Sequence, residues 1–145
     1  MRAVLADWHE PPFEDLATFI AETSPFRVQA AAGREWAEFE ALNQEGETVL
    51  AVDLWTGAHA REEFEELEEF LGDLDGPAEA REAVRAHLRA ASAVIGMQVL
   101  MSAYDESVAA ANAIIDFLEQ RERVLTQIDT VGWYDGPERL LKEPD

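Results

Sequence analysis

The chain has 145 residues, with 31 acidic and 11 basic side chains, a net charge of −20, and no cysteine. Such a charge repels nucleic acid and anionic membranes, and the missing thiols exclude disulfides, zinc–thiolate sites, iron–sulfur clusters and a cysteine nucleophile. A hydrophobic fraction of 48% is too high for a disordered acidic chain, and the length suits a single globular domain over 1–145.

The first residues, "MRAVLADWHEPPFEDL", hold no apolar run of signal-peptide length. No stretch approaches the roughly 20 apolar residues of a membrane span. A cytoplasmic protein is expected. Ten of the eleven bases are arginine, a bias that points to a GC-rich bacterial genome.

In chain order, "PFEDLATFIAE" (12–22) reads as the first helix. Pro12 suits its start, and Glu14 and Asp15 suit the positive end of its dipole. Phe13, Leu16, Ala17 and Ile20 share a face, and Ser24-Pro25 ends the helix because the residue before proline avoids helical angles. "FRVQAA" (26–31) offers a strand. Residues 34–43 fit either period: Trp36, Phe39 and Leu42 recur every three, while Ala37, Phe39 and Ala41 alternate with Glu38 and Glu40. The "NQEGE" that follows favours a hairpin of 35–43 with 47–55.

The segment "AREEFEELEEFLGDLDGP" (60–77) carries six glutamates and two aspartates against one arginine. On a helical wheel Phe64, Leu67, Phe70, Leu71 and Leu74 share one arc, and Glu62, Glu65, Glu66, Glu68 and Glu69 cover the other. Glu63 projects toward the apolar arc, and a first-turn position on the helix dipole would account for it. Pro77 opens another helix, in which Arg81, Arg85 and Arg89 stand four apart. This row is expected to pair with the acidic helix or with Glu82. "SAVIGMQVLMS" (92–102) reads as a buried strand near 94–101, and 105–122 as a helix with Asp105 near its cap. Beyond it come a strand, a turn at Gly132 and a short strand at Trp133–Tyr134. The order predicts an α+β fold, with an antiparallel sheet of about four to five strands packed by about four helices.

Chemistry leaves few marks. None of His9, His59 and His87 has metal-ligand spacing to another, and no metal or other cofactor is expected. His87 falls on the inner face of its helix and reads as a core histidine. The serines lie outside GxSxG and SxxK patterns, and no phosphate-binding glycine loop is present. Asp53, inside the strand "TVLAVDLW", is the acid whose environment matters most. Facing inward it would be unusual; on the wet face or paired it would be ordinary, which is the favoured reading.

These features favour a non-catalytic binding module that engages a basic protein partner. In size and charge alone the chain is similar to the immunity proteins that block basic toxins and to the small acidic chaperones of type III secretion, though no motif supports either. A mimic of DNA, and an enzyme with an acid or histidine site, are the alternatives; direct binding to nucleic acid or a membrane is not expected, and a homodimer stays open. Glu62, Glu65, Glu66 and Glu69, with Trp133 and Tyr134 beside a turn, are the candidate contact residues.

Overall fold

The computed structural model describes residues 1–144. The strands are β1 (Arg2–Leu5), β2 (Arg27–Gln29), β3 (Glu38–Leu42), β4 (Thr48–Thr56), β5 (Ala93–Val99), β6 (Val124–Ile128), β7 (Gly132–Asp135) and β8 (Glu138–Lys142). The helices are α1 (Phe13–Thr23), α2 (Gly57–Glu69), α3 (Ala78–Ala90) and α4 (Tyr104–Glu119). The fold is α+β, as the sequence order predicts. The sheet is larger than expected, with eight strands among the described residues, in the order β2-β3-β4-β5-β1-β6-β7-β8. Antiparallel ladders join β1 to β6, β2 to β3, β3 to β4, β6 to β7 and β7 to β8.

The chain forms two compact units. One comprises Met1–Trp8, Trp55–Ile95 and the residues from Glu122 on; the other comprises His9–Leu54 and Gly96–Arg121.

In the first unit, α2 and α3 cover one sheet face. Val4 of β1, Val94 of β5, Leu125 of β6, Trp133 of β7 and Leu141 of β8 meet Phe64 and Leu67 of α2 and Val84 and Leu88 of α3 in one apolar cluster. Burying each of these larger side chains stabilises the fold by about 1.5–3 kcal/mol. The row of arginines is spent on holding the two helices together. Arg81 donates to the carbonyls of Leu71 and Leu74, at 3.1 and 2.8 Å, and so ties α3 to the turn that follows α2. Arg85 pairs with Glu82 and Glu68, and Arg89 with Glu68.

His87 is a core histidine, as its helical position suggests. It is buried, and its Nε2 lies 2.7 Å from the Val4 carbonyl oxygen. Burial is the main influence lowering its pKa below the ordinary 6.5, although the bond to Val4 works the other way. The sign follows directly. Below about pH 6.5 the unfolded chain binds a proton that the folded chain resists, so stability falls as the pH drops, until the depressed folded pKa is reached. Wild type is therefore expected to lose more stability than His87→Gln between pH 7.5 and 5.5, relative to each protein's own value at pH 7.5. Urea titrations at each pH would show it; parallel losses would remove His87 as the cause.

In the second unit α1 packs against α4, and Leu16, Ile20, Ile114 and Phe117 are buried. The hairpin of β3 and β4 forms with β2 added at its side. Its first strand starts at Glu38 rather than near 35, because Trp36 has φ +65°, outside the extended region. Among the described residues, no helix is long and apolar enough to cross a membrane.

Candidate functional site

The densest acidic helix is also where the sequence pattern breaks down. Helix α2 begins at Gly57, so Glu63 is not in its first turn and the dipole does not account for it. Its side chain is only 15% exposed and is paired instead with Arg2 on β1. Arg2 also donates to Gln127 Oε1 at 2.8 Å and to Asp129 Oδ1 at 2.7 Å. Burial works to lower the Arg2 pKa, but Asp129 and Glu63 outweigh it and hold the guanidinium above its ordinary value. At Asp129 burial works to raise the carboxyl; hydrogen bonds from Gln127 and Arg2, with the Arg2 charge, overcome it and leave the group below its ordinary range.

Phe70 departs from the helical wheel in the other direction. It was expected on the buried arc, yet it is 56% exposed. The helix ends at Glu69 and the chain tightens into a 3₁₀ turn over Leu71–Asp73, so the 3.6-residue period no longer sets direction at position 70. Leu71 and Leu74 remain buried.

Together these departures shape a cleft of about 270 Å³ within the first unit. Leu67, Leu74 and Trp133 line it on the apolar side, with Phe70 exposed among the lining residues. Arg2, Glu63, Gln127 and Asp129 supply its internally bonded polar wall, and Glu66 and Glu143 also line it.

Of the candidate contact residues, the structure brings Glu66 and Trp133 to this cleft. Trp133 is 2% exposed, so it contributes as buried lining and not as a surface aromatic beside a turn. Glu62, Glu65 and Glu69 are exposed on α2, and Tyr134, half-buried, is not among the residues lining the cleft. Sequence reasoning missed Arg2, Phe70, Gln127, Asp129 and Glu143. Glu63, an acid on an apolar arc, was the signal that a half-buried cation lay opposite.

No protein-family model, curated protein or solved structure matches the chain. The arrangement must therefore be read from its own chemistry.

The other candidates are less productive. Asp53 is half-buried on β4, and its carboxylate lies over Gly96, where an added Cβ would come within 2.7 Å of Oδ1. His59 meets Trp55 edge-on, with ring centroids 5.8 Å apart. Among the described residues, no three His, Asp or Glu side chains are grouped to hold a metal ion.

Proposed function

We propose that the protein is a non-catalytic binding module that engages a basic protein partner through the outward face of α2. One observation carries this reading. Two glutamates of the helix are neutralised from within the fold, Glu63 by Arg2 and Glu68 by Arg85 and Arg89. Glu62, Glu65, Glu66 and Glu69 are exposed and have no ion pair among the described residues. They span two turns, about 10 Å of helix. A patch of uncompensated charge on that scale speeds encounter with an oppositely charged surface, in a salt-sensitive way.

The test compares wild type with the fourfold variant Glu62→Gln, Glu65→Gln, Glu66→Gln, Glu69→Gln. Glutamine has nearly the same helix propensity, so the helix should persist. Each protein is used to capture partners from cells of its own source at low and at high salt. Wild type should retain a basic protein at low salt and release it at high salt, and the variant should associate with that purified protein about tenfold more slowly or worse. Equal association rates for the two proteins would sink this reading.

A further inference from the structure

The geometry points to the cleft beside α2 as a socket for an arginine side chain of the basic partner. This rests on the proposed reading of α2 and adds what the partner must present. The cleft, at about 270 Å³, falls just below the roughly 300–1,000 Å³ of pockets that enclose drug-sized ligands. It has room for a side chain rather than a whole cofactor.

Its chemistry selects the side chain. Leu67, Leu74 and Trp133 offer an apolar surface, which suits the three-carbon stem of an arginine. Four carboxylates line the cleft against one guanidinium, that of Arg2. Arg2 is already engaged by Glu63 and Asp129, while Glu66 and Glu143 have no side-chain partner among the described residues. The uncommitted charge is therefore negative. Phe70 supplies an exposed ring over which a planar guanidinium can stack, a contact at which arginine is better than lysine. A neutral occupant would leave Glu66 and Glu143 unpaired, and an anionic one would also meet repulsion from them.

The experiment uses the whole protein and a short peptide, acetyl-Gly-Gly-Arg-Gly-Gly-amide. Its controls carry citrulline or lysine in place of the arginine. Backbone and indole N–H signals are followed by NMR during titration. The arginine peptide should shift the Gly132 amide and the Trp133 indole, saturating at about millimolar concentration. Citrulline, which has the shape without the charge, should not. Lysine should bind more weakly. Phe70→Ala, at an exposed position, should weaken binding of the arginine peptide about fivefold, and Glu66→Gln and Glu143→Gln should each weaken it. An unmoved Trp133 indole, an equal response to citrulline or lysine, or an unchanged affinity in Phe70→Ala would overturn the socket. Shifts confined to the amides of Glu62, Glu65 and Glu69 would also overturn it while leaving the acidic-face reading intact. A responding cleft, with partner association unaffected by a Glu62→Gln, Glu65→Gln, Glu69→Gln variant that leaves Glu66 in place, would keep the socket and remove that reading.

Discussion

Replacing Trp36 with alanine is expected to cost about 3–5 kcal/mol, the usual range for deleting a large buried aromatic, and to lower the melting temperature by about 10–15 °C. Three observations lead to this magnitude. The side chain is 1% exposed. Its indole stands edge-on to Phe13 and Phe39, at centroid distances of 5.7 and 5.8 Å, and is stacked with Phe117 at 6.3 Å. Its Nε1–H donates to the Pro11 carbonyl at 2.7 Å. Alanine would open a cavity among three rings that come from α1, β3 and α4, three separate elements that do not collapse together easily. It would also leave the Pro11 oxygen without this donor. The backbone would gain nothing, since φ at 36 is +65° and alanine is no more at ease there than tryptophan. Trp36→Phe separates the contributions. It keeps most of the ring packing and loses the hydrogen bond, so about 1–2 kcal/mol is expected. Urea unfolding followed by far-UV circular dichroism would measure both. A loss below about 1 kcal/mol for the alanine variant would show that Trp36 does not anchor the second unit.

Trp36 also shows why part of the fold was hard to see in the sequence. Its spacing to Phe39 and Leu42 imitates a helix, but it sits in a left-handed turn that feeds β3. The three-residue recurrence records a change of direction, not a helical face. The long helices were legible because their apolar positions repeat over three or more turns, and the hairpin because "NQEGE" separates two apolar runs. Strand β1 was not, since "RAVL" is too short to display a period. Ala3, Val4 and Leu5 are all buried, so both sheet faces are apolar there and no alternation exists to be read. Strand β8, "ERLLK", places two leucines side by side, and its pairing with β7 shifts register between Trp133 and Tyr134, which breaks the two-residue period. The candidate site follows the same logic. Glu66 and Trp133 were visible as residue types, whereas the Arg2 partnership joins positions 61 and 127 residues apart, a separation that local pattern does not encode. Phe70 was misplaced because the helix stopped one residue before it.

Gly132→Ala should be the most damaging of the glycine-to-alanine changes, at about 3 kcal/mol or more, combining backbone strain with overpacking. Gly132 opens β7 with φ +147°, a region that L side chains rarely adopt. The added Cβ would overlap the Leu141 carbonyl oxygen and sit 3.0 Å from that carbonyl's carbon and 3.1 Å from the Lys142 Cα. All three are backbone atoms of β8, so no rotamer change can clear them. Nor can β8 easily back away. Lys142 exchanges both backbone hydrogen bonds with Asp75, at 2.7 and 2.8 Å, and Leu141 is 1% exposed in the core. Relief requires breaking either the β7–β8 ladder or the Asp75 bridge. Gly57→Ala is the matched control in the same unit. It too has a positive φ, +63°, but nothing lies within 4 Å of the added carbon, so only the conformational cost of about 1–2 kcal/mol should appear. Denaturant unfolding of the two variants isolates the close contact as their difference. The consequence reaches the cleft, because Gly132 and its neighbour Trp133 both line it. A Gly132→Ala protein that still folds should show a displaced Trp133 indole signal even without peptide. Equal losses for the two variants would instead mean that β8 can yield, and that this wall of the cleft is free to move when a side chain enters.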